Sequence, residues 1–124
     1  MKSEIKGIKA AGDKVEAEIL FLGSGEIGII GLTNEIRHKI IVGQKFSRAA
    51  LMKAITIEVA GIITADISEE LFAELEQGRL WEIGESLSLK IPLLVVDKET
   101  LALLQKHHGK KAVLDPKEKQ LSCL

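Results

Sequence analysis

The centre of the chain combines short, continuously apolar runs with a helical pattern of apolar residues. Ile40–Val42 and Ala60–Ile63 are rich in β-branched residues and resemble strands buried on both faces of a parallel sheet. Between them, Ser47 is a candidate helix cap, and apolar residues follow it at helical spacing: Ala50, Leu51, Ala54 and Ile55. Residues 39–66 therefore predict a strand, a covering helix and a second strand parallel to the first.

The N-terminal part of the chain predicts a β-hairpin. Residues 14–22 (KVEAEILFL) alternate polar and apolar positions and then become wholly apolar, while residues 26–32 (EIGIIGL) form a second β-like run. The glycine-rich segment 23–25 between them predicts the turn. Residues 1–13 are lysine-rich and weakly patterned, which predicts a short strand or a loose arm.

The region after Asp66 predicts two further helices. Ser68 or Asp66 caps the first, which has a buried stripe of Leu71, Phe72 and Leu75 and ends at Gly78. Residues 79–90 predict an irregular connection anchored by Trp81. Pro92 opens a strand over 93–96, because proline is tolerated at the first position of a strand. Asp97 caps the last helix, which Gly109 ends.

The last part of the chain predicts a second hairpin, from residues 110–114 and 120–124. The full order is β-β-β-α-β-α-β-α-β-β, without a repeat or a linker. This order predicts one α/β domain over residues 1–124, with a mixed sheet, parallel central strands, β-hairpins at both ends and three helices.

The apolar strands and glycines of residues 38–124 resemble those of the swivelling β/β/α domains. The resemblance rests on Gly61–Thr64, Ile91–Val96 and Gly109–Asp115. It implies a three-layer β/β/α domain, as in the mobile phosphohistidine domains of pyruvate-dikinase-like enzymes and the small swivel domains of aconitase-like dehydratases. A phosphohistidine domain would carry its histidine near the start of the helix after Thr64. In this chain the corresponding residues, 65–70, include no histidine.

Composition narrows the classes of function. The 124 residues include 17 Lys and Arg, 18 Asp and Glu, three Phe, one Trp and no Tyr, with both charge signs interspersed. A nucleic-acid-binding surface needs concentrated positive charge or stacking aromatics, so neither duplex nor single-stranded nucleic acid is a predicted partner. The longest apolar run, Ile91–Val96, is too short for a membrane span, and residues 1–16 lack the apolar core of a secretory signal, so the predicted location is cytoplasmic.

Gly23, Gly25 and Gly28 form a G-x-G-x-x-G motif directly after a predicted strand. In a dinucleotide-binding fold, such glycines allow the backbone to approach a pyrophosphate at the N-terminus of a helix. Here the residues that follow are β-branched, and no acidic residue comes after the next strand. A hairpin turn is therefore the favoured interpretation, and nucleotide binding is the alternative.

The histidines and the single cysteine predict no metal site and no cofactor. His107 and His108 are adjacent on a helix, so their side chains point roughly 100° apart and do not grip one ion together. His38 has no acidic or cysteine neighbour at ligand spacing. Cys123 has no adjoining basic residue to lower its pKa and is predicted to be a small apolar filler or a thiol in a frayed tail.

Candidate ligand-binding residues follow from the predicted parallel sheet, because small molecules bind beyond the carboxyl ends of such strands. Lys45, Arg48 and the free amides of a helix start would suit a small anion. The competing interpretation is that the serines and the aspartate only cap helices. The candidate residues are Gly43, Gln44, Lys45, Ser47, Arg48, Thr64, Asp66, Ser68 and Asp97.

Three functions fit this sequence. The first is a non-catalytic accessory or protein-interaction domain, which binds a protein partner or a second copy through an edge strand of a terminal hairpin, because no catalytic group is assembled in sequence. The second is a small anion- or nucleotide-binding protein. The third is a swivel-type subunit whose large partner chain carries most of the catalytic groups of an enzyme.

Overall fold

A computed structural model describes residues 3–28, 32–76 and 91–123. Within these ranges the chain forms eight strands and three α-helices, in the α/β class predicted from sequence. The strands are β1 (Ser3–Lys6), β2 (Lys9–Ala11), β3 (Val15–Ile27), β4 (Ile40–Phe46), β5 (Gly61–Asp66), β6 (Leu93–Val95), β7 (Lys111–Asp115) and β8 (Gln120–Cys123), and the helices are α1 (Arg48–Ile57), α2 (Glu69–Glu76) and α3 (Lys98–Leu104).

The predicted strand, helix and parallel strand are confirmed as β4, α1 and β5. Ile40 is in register with Gly61, and Val42 with Ile63, in a parallel pairing. The hydroxyl of Ser47 accepts the backbone N–H of Ala50 at 3.1 Å, so it caps α1 as predicted. The unit forms because both strands are continuously apolar and α1 covers one of their two faces.

The predicted N-terminal hairpin is wrong, because the glycine-rich segment lies inside β3. This strand runs 13 residues without turning back, and its second half pairs with β4 in parallel. The register shifts between Phe21 and Gly23 and again between Gly23 and Glu26, as expected of β-bulges, which absorb extra residues without ending a strand. Residues 29–31 of the predicted second arm lie outside the described residues.

Of the two alternatives predicted for residues 1–13, the short strand is confirmed and the loose arm is wrong, because β1 and β2 close the sheet. β1 pairs antiparallel with β8, and β2 pairs antiparallel with β6 at the other end of the sheet. Only Gly7 and Ile8 separate the two strands, and their amides donate to the carbonyls of Lys119 and Val95, respectively. The sheet order β1-β8-β7-β3-β4-β5-β6-β2 therefore begins and ends on consecutive strands, so the sheet bends round on itself.

The bent sheet has two layers. An antiparallel layer contains β1, β8, β7 and the first half of β3, and a mainly parallel layer contains the second half of β3, then β4, β5 and β6, with β2 antiparallel at its edge. The mixed sheet with parallel central strands is confirmed.

Side chains of the parallel strands alternate between two cores. Ile41 and Ile62 face the helix-side core, which contains the buried side of α1 and partly buried residues of α2. Ile40, Val42 and Ile63 face the inter-sheet core, which they share with the antiparallel layer and with α3. The alternation follows from the two-residue period of a strand, and burial on both faces explains the continuous apolar runs.

The C-terminal hairpin is confirmed as β7 and β8, joined by a 3-10 turn over Pro116–Glu118. β8 also pairs with β1, so the hairpin does not offer the free edge that the sequence predicted. Gly109 has a φ of +83° and ends the helical segment as predicted, after a 3-10 turn that extends α3 to His107. Gly78 and residues 79–90, including Trp81, lie outside the described residues.

Candidate functional site

The candidate residues do meet at the carboxyl ends of β4, β5 and β6. In the ladder, Gly43 is opposite Thr64 and Lys45 is opposite Asp66. Thr64 is also opposite Val95, two residues before Asp97. The sheet therefore brings the three predicted loops to one edge.

Thr64 holds the ends of two strands together. Thr64 is 1% exposed, and it is the one buried polar residue in the described part of the chain. The hydroxyl donates to the carbonyl oxygen of Gln44 at 2.9 Å, and the carbonyl of Thr64 accepts the N–H of Val96 at 2.9 Å. A buried hydroxyl with a carbonyl partner stabilises the fold, and its proton is not free for a ligand.

The other two candidates with side-chain oxygens near helix starts act as caps, like Ser47. Ser68 Oγ accepts the N–H of Leu71 at 3.1 Å, at the start of α2. Asp97 Oδ1 accepts the N–H of Thr100 at 2.7 Å, and hydrogen bonds from Thr100 hold the pKa of Asp97 below its ordinary value. The interpretation of these residues as helix caps is confirmed.

The positive charges of the first loop have acidic neighbours. The Arg48 guanidinium forms an ion pair with the Glu74 carboxylate, which links α1 to α2, and both side chains are about one-third exposed, at 33% and 29%. Lys45 is opposite Glu26 of β3 and Asp66 of β5, and all three residues are exposed. The acidic neighbours reduce the attraction of this loop for an anion.

The glycine motif does not have the geometry of a dinucleotide site. Gly23 and Gly25 lie within β3, Gly28 follows its last residue, and the next described element is a 3-10 turn over Asn34–Ile36. A pyrophosphate site of this type requires a helix to start at the glycines, with its N–H groups directed at the ligand. The described residues therefore give no support to nucleotide binding here.

Gly43 is required by packing. A β-carbon added to it would lie 2.6 Å from Ile27 Cγ1 and 3.0 Å from Phe46 Cζ, both shorter than ordinary van der Waals contacts. The glycine thus lets the side chains of β3 and β4 close over the strand, and it opens no space for a ligand.

A polar cluster at the opposite end of the parallel strands was not found by sequence reasoning. Lys39 Nζ is 2.6 Å from Glu18 Oε2. This hydrogen-bonded ion pair lowers the pKa of Glu18, and the charge of Lys111 acts in the same direction. The residues come from distant parts of the chain, so no local pattern signals the cluster.

His108 extends the hydrogen bonding of β3, a role that sequence reasoning also missed. Its Nδ1 accepts the backbone N–H of Phe21 at 2.9 Å, across 87 positions of sequence. A ring nitrogen that accepts a hydrogen bond carries no proton, so the bond specifies the neutral tautomer protonated on Nε2.

Metal-ligating groups do not gather among residues 3–28, 32–76 and 91–123: no three His, Cys, Asp or Glu residues there could hold an ion together. Cys123 is a buried free thiol in the inter-sheet core, and burial raises its pKa. The prediction that it is a small apolar filler is confirmed. No helix in the described part of the chain is long and apolar enough to cross a bilayer.

Comparison with known proteins finds one similar fold and identifies no function. No family model matches the chain, and no curated protein matches it. The chain is similar to the solution NMR structure of a UPF0107 protein, with a TM-score of 0.67 and 14% sequence identity, over 98% of this chain and 99% of that one. At this level of identity the likeness concerns the fold alone.

Proposed function

We propose that this chain is a non-catalytic accessory domain, cytoplasmic by prediction, that acts by binding another protein chain. The observation that carries the proposal is how the fold uses the polar side chains at the carboxyl edge of the parallel strands. Ser47, Ser68 and Asp97 cap helices, Thr64 donates to a backbone carbonyl, and Arg48 pairs with Glu74. Groups with these partners are committed to stability, whereas an acid, base or nucleophile must be available to a substrate.

The native mass of the chain in an extract of its own cells tests this proposal. An accessory domain is expected to elute in a complex well above its own 13.5 kDa. The complex should persist in low salt and dissociate in denaturant, since a specific interface buries apolar as well as polar surface. Elution of the native chain as a lone 13.5 kDa monomer would contradict the proposal.

Ligand-induced stabilisation tests the small-ligand alternative on the purified chain. Phosphate, NAD, FAD and ATP at millimolar concentration are each expected to leave the melting temperature unchanged. Binding to the folded state raises that temperature by mass action, so a shift of several degrees would favour an anion or nucleotide site instead. Lys45→Ala with Arg48→Ala would then show whether the first loop holds the ligand, because loss of the shift in that variant locates the site.

A swivel-type subunit of a larger enzyme is the second candidate. The arrangement of one antiparallel layer, one mainly parallel layer and two helices, α1 and α2, outside the latter favours it, since this is the order of layers implied by the resemblance to swivelling β/β/α domains. In this case the carboxyl edge of β4 and β5 would form one wall of a cleft that the partner chain completes. The two candidates differ in the identity of the partner. A large partner chain that has its own catalytic groups, and that gains enzymatic activity only when mixed with this chain, would support the second candidate.

A further inference from the structure

The second half of β3 has a strand neighbour on one side only, within the described ranges. Val15–Glu18 pair with β7 and Ile19–Ile27 pair with β4. On the side away from β4, Ile19 exchanges hydrogen bonds with Gly109 and Lys110, and the Phe21 N–H donates to His108. Beyond Phe21 the described residues supply no partner on this side of the strand. Leu22–Ile27 is here named the β3 edge, because its outward backbone groups are unpaired within residues 3–28, 32–76 and 91–123.

The residues of the β3 edge leave its backbone accessible. Natural edge strands are protected by lysine, proline or bulges that bend the edge away. The β3 edge contains neither lysine nor proline, and of these protective features it has its two register shifts and one exposed charge, Glu26. Gly25 is exposed, and no atom lies within 4 Å of the position a β-carbon would take. Gly25 therefore contributes no side chain that would cover the neighbouring backbone.

We propose that the β3 edge pairs antiparallel with the same edge of a second copy of this chain, joining the two parallel layers across a two-fold axis. This inference rests on the proposed interaction role and names its partner and its surface. An extended backbone is the group that matches a row of unpaired N–H and C=O groups, as in recognition by strand addition. A symmetric dimer requires in addition that the surface be complementary to itself.

The sequence of the β3 edge meets that requirement. With the axis between Ser24 and Gly25, Leu22 lies opposite Ile27 of the other copy, and Gly23 lies opposite Glu26. Apolar residues thus face apolar residues at both ends, and the two Glu26 carboxylates are not opposite each other, where like charges would destabilise the pair. Ile27 is 8% exposed and anchored in the helix-side core, so it holds the end of the strand in place.

Two measurements on the full chain test the dimer. Sedimentation velocity over a range of concentrations is expected to show conversion from 13.5 kDa to twice that mass. Hydrogen exchange is expected to slow as concentration rises at those amides of Leu22–Ile27 that point away from β4, because they gain strand partners only in the dimer, whereas the amides that face β4 are paired in the monomer. A mass of 13.5 kDa at every concentration would overturn the inference.

Two lysine substitutions locate the contact. Gly25→Lys adds a charge in open space beside the axis, so it is expected to leave the fold intact. The two lysines would flank the axis, and like charges placed together across an interface oppose association, so dimerisation is expected to weaken about tenfold or more. Thr56→Lys adds the same charge on an exposed position of α1 and is expected to leave the dimer unchanged. Melting curves of both variants verify that each is folded.

The outcomes separate this inference from the proposed function. A dimer that Gly25→Lys leaves intact would overturn the assignment to the β3 edge. A purified chain that stays monomeric, while the native chain elutes in a complex with a different protein, would overturn the dimer and leave the accessory role standing.

Discussion

Replacing Gly7 with alanine tests how the sheet closes between β1 and β2. A β-carbon at Gly7 would lie 2.3 Å from Leu94 Cδ1 and 2.9 Å from the carbonyl oxygen of Val95. Leu94 is fully buried in the inter-sheet core, and Val95 belongs to the strand that pairs with β2, so neither has free space to move into. Overpacking of this kind costs about 1–3 kcal/mol, and the loss of glycine's freedom in the unfolded chain returns about 0.4–1 kcal/mol.

The net prediction for Gly7→Ala is a loss of about 1–2 kcal/mol in the free energy of unfolding, or roughly 4–8 °C in melting temperature for a chain of this size. Urea denaturation followed by circular dichroism measures it. Gly25→Ala is the matched control, because its β-carbon would meet no atom within 4 Å. If the two variants unfold at the same urea concentration, the close approach of Gly7 to β6 does not exist and the closure is refuted.

Three further predictions concern the candidate site. Thr64→Val keeps the shape of the side chain but leaves the Gln44 carbonyl without its buried donor, so unfolding free energy should fall by about 1–2 kcal/mol; unchanged urea stability would contradict this role. Ser47→Ala removes the α1 cap and should cost about 1 kcal/mol, whereas Ser47→Asp should retain most of the stability, as melting curves can show. The Asp97 carboxylate has a lowered pKa through Thr100, so its contribution is present at neutral pH and lost as pH falls below the ordinary value of 3.8. Asp97→Asn should therefore lose less stability than the natural chain on acidification, and identical acid unfolding curves would contradict that assignment.

The parallel centre of the fold could be predicted because its signals are local. β4 and β5 are continuous apolar runs, and Ser47 caps the helix between them. Burial on both faces and helix capping act over a few residues, so a short window of sequence contains the information.

The closure of the sheet could not be predicted because its signals are distant. β1 and β2 are four and three residues long, and each depends on a distant partner: 114 to 120 positions away for β1, and 82 to 86 positions away for β2. Gly23 and Gly25 were interpreted as a turn because glycine favours turns and bulges alike, and only the pairing with β4 distinguishes the two.

In the candidate site, too, the local features could be predicted from sequence and the long-range contacts could not. The caps formed by Ser47, Ser68 and Asp97 are local and were anticipated. The ion pair of Arg48 and the hydrogen bond of Thr64 join residues 26 and 20 positions apart, and no spacing rule connects them. These long-range partners occupy the Arg48 guanidinium and the Thr64 hydroxyl, two groups that the sequence predicts to bind a ligand.

Nuclear Overhauser contacts between strands give the most direct test of the closed sheet, on which the two-layer fold rests. We predict contacts of Ile5 with Leu121 and of Ala10 with Leu94 in the same monomer, because the two pairs are in register at opposite ends of the sheet. A spectrum in which residues 3–11 show neither set, or show only random-coil shifts, would contradict this prediction.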